Sequence, residues 1–475
     1  MSDNLSKSVL IVGATLGVLL LAYMAYSRPG YFTSQTYLGG LLLLEFLLAA
    51  IWAFRRVFFP LVVLTFLLAG VDLPTGGGVW SIVRWVFLSA GFLVGAFIML
   101  KERRHRFGLF HALALFSVLT AIVSSAVSRH PDFALLKAVS LLLLFGYAAT
   151  GARLATTGRE IRFFRGLLLG CEVFVGAVGA FSLIGREVMG NPNSLGAVMG
   201  VVGCPILLWG TMLEEKPIVH QRRLALLALS SYLVFHSHAR AGMVAAFIAC
   251  GLLCIALRRY RSLGQGILII LIAMTASATF NPEGFSKAMS SLTASVVYKS
   301  KDPSLGVFLS RQSPWQTAVE TIKTHFWFGT GFGTTDNGTD ASAHLSRFSS
   351  GGANLAENGS SYLTIATWVG MAGVFPFVFL LLMLVFKVFR TVRWILNSGN
   401  PAHPAIPLAM LTVAGLIHAC FEDWLFAAGY HLCVFFWSLA FVFVDLAPKS
   451  SAQHLYSVSQ PRLLRRPVAD VAPTR

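Results

Sequence analysis

The chain is short of charge. Asp, Glu, Lys and Arg make up 12% of its 475 residues, against about 25% in an ordinary soluble domain, which excludes a solvated globular protein. Acids are scarcer still, 20 against 37 Lys and Arg, for a formal net charge of +17. Hydrophilic stretches are equally few, one over 280–360 and a tail from 447. The six cysteines (Cys171, Cys204, Cys250, Cys254, Cys420 and Cys433) lie within or beside apolar runs. None has metal-ligand spacing with a histidine, so they read as small buried hydrophobes and no metal centre is expected.

What is present is apolar length. Hydrophobic residues reach 56%, and runs recur at 8–26, 37–54, 57–71, 81–100, 107–127, 134–152, 163–184, 194–213, 223–237, 241–257, 263–279, 361–386, 404–420 and 428–446. Crossing a bilayer core of about 30 Å takes about 17–25 such residues. The expected fold is an all-α polytopic membrane helical bundle of about twelve to fourteen transmembrane helices. Residues 1–446 form one transmembrane domain, including a long external loop over 280–360, and 447–475 read as a disordered basic cytoplasmic tail. Lys7 ahead of an apolar core resembles a signal sequence, but the run exceeds the 7–15 residues of a cleaved one, so an uncleaved first helix is expected.

The basic residues come in short clusters between runs: Arg55-Arg56, KERRHR at 101–106, REIRFFR at 159–165, RRYR at 258–261 and KVFRTVR at 387–393. Strict alternation of spans puts all of them on one side, the positive-inside pattern, with cytoplasmic N- and C-termini. This accounts for the charge without nucleic acid as a partner. Membrane lipids are expected instead, including anionic lipid against Arg462, Arg465 and Arg466 of the tail.

The same alternation sends four polar segments to the opposite face. SHAR at 237–240 becomes a turn, so Arg240 stands at a membrane interface, as a snorkelling anchor or as a ligand. In GREVMGNPNSLG at 185–196, Pro192 starts a helix with Asn193 or Ser194 as N-cap, an anion-accepting end with Arg186 upstream. In SRQSPWQTAVETIKTHFWFGTG, Ser313 at N-cap, Pro314 at N1 and Gln316 at N3 suggest a capping box, with Arg311 just before the positive end. Trp315, Val319, Ile322 and Phe326 share one face of this amphipathic helix, and GTGFG at 329–333 reads as a helix stop and flexible loop. The last outward turn, HACFEDWLFAAG, offers Glu422 and Asp423, which neutralise a neighbouring arginine or act in catalysis. Arg186, Arg240 and Arg311 thus share one face, and a diphosphate is a natural ligand for such guanidinium groups.

The segments GREVMGNPNSLG, SHARAGMVAAF, SRQSPWQTAVETIKTHFWFGTGFG and SSYLTIATWVGMAG, in this order over about 185–390, resemble the O-antigen ligase and polymerase superfamily of bacterial inner-membrane proteins. The resemblance implies a metal- and cofactor-independent glycosyltransferase with a periplasmic active site. The donor would be an undecaprenyl-pyrophosphate-linked oligosaccharide, and the acceptor a glycan or lipid A-core. Polysaccharide-export machinery would be a further partner. Arg186, Arg240 and Arg311 match the family's recurrent arginines and would bind the pyrophosphate with Asn193.

One departure bears on the reaction. Ligases that transfer to lipid A-core carry a histidine about nine residues before a GxxG-like pair; here Gly370 and Gly373 keep the pair, but Gly359 and Ser360 hold the earlier position. This tilts the expectation toward polymerisation of exopolysaccharide or O-antigen repeat units, with ligation as the alternative. Glu357 is the first candidate base and His344 the second, although Glu357 could equally pair with Arg347 or cap the next helix. A flippase or transporter, or an accessory subunit of a polysaccharide machine, is the alternative from another class. Against the transporter, the two halves show no internal similarity.

Overall fold

A computed structural model describes residues 35–70, 77–102, 107–185, 188–189, 191–213, 216–283, 309–334, 359–398 and 400–448, with Tyr23, Ser27, Ser286 and Ser290. The described residues are helical with no strand. In chain order the helices are α1 Gln35–Trp52, α2 Phe54–Gly70, α3 Gly77–Glu102, α4 Leu109–Ala126, α5 Pro131–Thr156, α6 Glu160–Leu183 and α7 Pro192–Leu213. Then come α8 Pro217–His236, α9 Arg240–Ala256, α10 Tyr260–Phe280, α11 Leu309–Thr324, α12 Ser361–Ser398, α13 Ala405–His418 and α14 His431–Leu446. Every expected span from 37–54 onward has a helix at its place. Among the described residues six helices are long and apolar enough to cross a membrane, and Arg240–Ala256, Ala405–His418 and His431–Leu446 are among the shorter apolar ones. The protein is an all-α polytopic membrane bundle. The expected first span lies, but for Tyr23, outside the described residues, as do 335–358 with His344, Arg347 and Glu357, Arg186, and the tail from 449.

Sequence composition sorts the helices into layers. HLCVFFWSLAFVFVDL of α14 is apolar on every side, and nearly all of it is buried. Helices α7 and α13 are likewise enclosed. Helix α4 instead buries one stripe (Phe110, Ala114, Ser117, Val118, Ala121) and turns Leu115, Phe116 and Val123 outward, as a lipid-facing helix does.

Two glycine contacts set the end of the bundle opposite the basic clusters. A Cβ on Gly200 would lie 2.4 Å from the carbonyl oxygen of Gly242, and one on Gly242 would lie 2.4 Å from that of Gly196. Helices α7 and α9 therefore touch backbone to backbone, the close approach that small residues permit between membrane helices. Helix α12 is broken at Gly370, whose φ of 65° and ψ of −179° leave the helical region. The break frees backbone groups, and residues 326–331 take them up. Met371 and Ala372 donate to the carbonyls of Phe326 and Trp327, while Thr330 and Gly331 donate to Thr367 and Trp368. The Ser124 hydroxyl reaches the carbonyls of Phe328 and Trp368 at 2.9 and 2.5 Å. GTGFG is thus a fixed latch on the helix break rather than a flexible loop, and the earlier expectation is corrected.

Helix α11 also departs from expectation. It is already running at Leu309, so Ser313 is not its N-cap, Pro314 lies inside it, and Arg311 sits within its first turn rather than ahead of it. Packing decides the matter: Arg311, Pro314, Trp315, Ala318 and Ile322, spaced at helical intervals, form the more buried stripe. Of the expected apolar face, Val319 and Phe326 point outward instead.

Candidate functional site

The SHAR segment is a turn, as its composition suggests. His238 takes a φ of 53°, and Arg240 opens α9. The glycine contact between α7 and α9 carries this helix start against the 191–194 turn. There Asn191, not Asn193 or Ser194, is the N-cap; its side-chain oxygen accepts from the Asn193 amide at 2.9 Å. The reason is local. Pro192 occupies the first helical position and holds Asn191 extended at φ −140°, ψ 121°, the cap conformation. Asn193 becomes a half-buried residue of the first turn.

Arg311 of α11 is the centre of the arrangement. Its guanidinium pairs with the Glu422 carboxylate, the two side chains being 15% and 17% exposed. Arg240 is close enough for like-charge repulsion with Arg311, and the buried ring of His418, kept neutral mainly by burial, lies near the same guanidinium. Two of the three arginines expected at a shared site are therefore neighbours; Arg186 lies outside the described residues. Glu422 and half-buried Asp423 ride on one turn, which Ser361 pins from the start of α12. The Ser361 amide donates to the carbonyls of Ala419 (2.9 Å) and Glu422 (3.1 Å), and its hydroxyl donates to the latter at 2.6 Å and accepts from the Leu425 amide at 3.1 Å. Inside the turn the Trp424 indole donates to His418 Nδ1 at 2.7 Å.

Gly359, at the position where histidine marks the ligases, lies against the guanidinium. Its φ is 65°, and a Cβ there would stand 3.2 Å from both Cδ and one terminal nitrogen of Arg311. The Trp315 indole donates to the Gly359 carbonyl at 3.2 Å. Tyr430, just ahead of α14, was not singled out from the sequence. It hydrogen-bonds Ser194 and feels the charge of Glu422, and burial pushes its phenol up to about 12, so it stays protonated. Isolated tyrosines carry no sequence signal of this kind; only the course of the turn between α13 and α14 places it here.

Arg311 and the neighbouring Arg240 put two guanidinium groups at one half-buried place, suited to an anion with several acceptor oxygens. Among the described residues no three of His, Cys, Asp and Glu gather as metal ligands.

Residues 225–378 match the family model described as O-antigen ligase. The matched stretch contains Arg240, Arg311, Gly359 and the Gly370 break, while Glu422 and Tyr430 lie beyond it. No curated protein matches the chain significantly. Over this stretch, set within a membrane bundle, the chain is similar to the O-antigen ligase family, which supports a membrane glycan ligase or polymerase role.

Proposed function

We propose that this protein polymerises glycan repeat units at the periplasmic face of the bacterial inner membrane, using an undecaprenyl-diphosphate-linked glycan as donor. The observation that carries the reading is the pairing of Arg311 with Glu422 and the nearness of Arg240 to Arg311, at the end of the bundle away from the basic clusters. In this reading both guanidinium groups, with Arg186 and Asn193, take the donor diphosphate. A base removes the proton from the acceptor hydroxyl, whose oxygen bonds to the donor sugar's anomeric carbon as the bond from that carbon to the diphosphate oxygen breaks. The diphosphate leaves with the electron pair, and the arginines stabilise the charge that develops on it. Glu357 is proposed as the base, with His344 second.

Glu422 holds Arg311 at rest in this scheme. A diphosphate carries more charge and more acceptor oxygens, so it displaces the carboxylate on binding. The polymerase reading over ligation to lipid A-core draws on Gly359: its positive φ and its contact with Arg311 leave little room for the histidine of a ligase.

The test is reconstitution of the purified protein in liposomes with lipid-diphosphate-linked repeat units, with and without lipid A-core, beside Arg240→Ala. A glycan ladder formed without lipid A-core and lost in the variant is the expected result. Product made only with lipid A-core would establish ligation instead. No product in either arm would overturn the enzyme reading and favour a transporter or accessory subunit.

A further inference from the structure

A second group of cations lies on the other side of the 419–430 turn. Arg84, near the start of α3, donates through one terminal nitrogen to the Gly429 carbonyl at 2.8 Å and stands over the rings of Phe66 and Trp85 at 5.7 and 5.5 Å. Lys137 of α5 feels its like charge, and the buried, uncharged ring of His431 at the head of α14 lies near it. Lys137 packs under the GTGFG latch, where a Cβ on Gly333 would lie 2.9 Å from its Cγ.

Three observations set this group apart from ordinary structural charges. Arg84 makes no ion pair among the described residues. Its Nε is buried without a hydrogen-bond partner. His431, 6% exposed, has a buried Nε2 that also lacks one. Gathering like charges and leaving polar nitrogens unmet is unfavourable unless something bound supplies acceptors and negative charge. A diphosphate does both.

We infer that Arg84, Lys137 and His431 form a second anion site, which holds the diphosphate headgroup of a second lipid-linked glycan, the acceptor. The inference rests on the polymerase reading. In polymerisation both substrates are lipid diphosphates, but only the donor's is released, so the enzyme needs a second place that holds a diphosphate without expelling it. The two sites are neighbours: Gly429 takes Arg84, His431 follows Tyr430, and Tyr430 reaches Ser194 and Glu422 beside Arg311. The first lies within the matched ligase domain at Arg240 and Arg311, and the second is built wholly from residues outside it. Bonding of Arg84 to the turn that bears Glu422 gives a physical link between the two.

The experiment counts bound diphosphates without turnover. Full-length protein in phosphatidylcholine nanodiscs is titrated with farnesyl diphosphate, and stoichiometry is read by native mass spectrometry. Two per chain are expected for the wild type, one for Lys137→Gln and for Arg84→Gln, and two again for Arg84→Lys, which keeps the charge. A single farnesyl diphosphate on the wild type, or two on both glutamine variants, would overturn the site. So would displacement of the second molecule by phosphatidylglycerol as readily as by farnesyl diphosphate, which would make it a bulk-lipid contact. Lys137→Gln guards against misfolding of the Arg84 variants, since the carbonyl of Gly429 does not depend on it. In the transfer assay both glutamine variants lose acceptor affinity by on the order of tenfold more than donor affinity; equal losses would assign the residues to the donor site. If wild-type protein binds two molecules yet transfers no glycan, the polymerase reading fails while the second site is supported.

Discussion

The two ends of the bundle treat buried charge in opposite ways. Toward the basic end the buried arginines are held by acids across helix interfaces. Arg153 is paired with Asp445 through Nε at 2.5 Å and a terminal nitrogen at 3.1 Å, and Arg223 and Arg222 both reach Glu172 at 2.6 Å. Arg55 pairs with Glu102 nearer the surface. At the far end Arg240 stands beside Arg311, which holds Glu422, and Arg84 and Lys137 stand together with the ring of His431. Paired charges in a membrane interior secure helix to helix, because separating them would leave ions in a medium that solvates neither. A surplus of one sign has the opposite logic: it raises the energy of the empty protein and lowers that of the protein with an anion bound. The first pattern is structural, and the second is the pattern of a binding surface.

The largest effect that tests this contrast belongs at the basic end. Glu172→Ala leaves the Arg223 guanidinium, 13% exposed, without its carboxylate, and breaking such a pair costs about 3–5 kcal/mol. Melting of the detergent-solubilised variant should move sharply downward, with diphosphate affinity per folded molecule unchanged. A variant that melts like the wild type would remove the structural role. Next comes Arg311→Ala, with the reverse signature. Transfer should fall by about 10²–10³-fold, the loss typical when one donor to a developing anion is deleted, and melting should change far less than for Glu172→Ala. Equal destabilisation by both would erase the distinction between the ends.

Glu422→Gln asks a sharper question, because the sign of its effect is diagnostic. Removal of an acid at the basic end harms the protein, whereas removal of this one relieves Arg311 of its resting partner. Farnesyl diphosphate should bind tighter by about 1–2 kcal/mol, within the range of close charge pairs. Weaker binding would mean that Glu422 orients Arg311 for the ligand rather than competing with it.

These contrasts were legible in the sequence to different depths. Apolar runs fix spans because no other structure satisfies the backbone in lipid, and SHAR reads as a turn because a charge at mid-bilayer is unfavourable. Convergence of Arg240 with Arg311 was foreseen only as a shared face. What joins their helices to the turn is the meeting of Gly196, Gly200 and Gly242 and the bonds of Ser361, pairings between distant stretches that no local pattern announces. The capping box at Ser313 misled because local cap chemistry yielded to packing along Arg311, Pro314, Trp315 and Ala318. GTGFG looked flexible because its hydrogen-bond partners are the carbonyls and amides freed at Gly370, some forty residues on, which is visible only once that glycine is seen to break the helix.

The smallest expected effect lies between the two cation groups. Tyr430→Phe removes one neutral hydrogen bond, to Ser194, and such a bond contributes about 1 kcal/mol net. The melting temperature should fall slightly, and two farnesyl diphosphates should still bind. The value of this variant is its position. If Arg311 and Arg84 serve separate anions, the phenol between them is a partition, and its hydroxyl matters to packing alone. If Tyr430→Phe instead reduces the count to one, the phenol hydroxyl is a shared ligand and the far end holds a single extended site. The contrast with the basic end would survive that outcome, since the surplus of positive charge remains. The division of that surplus between a donor and an acceptor would not.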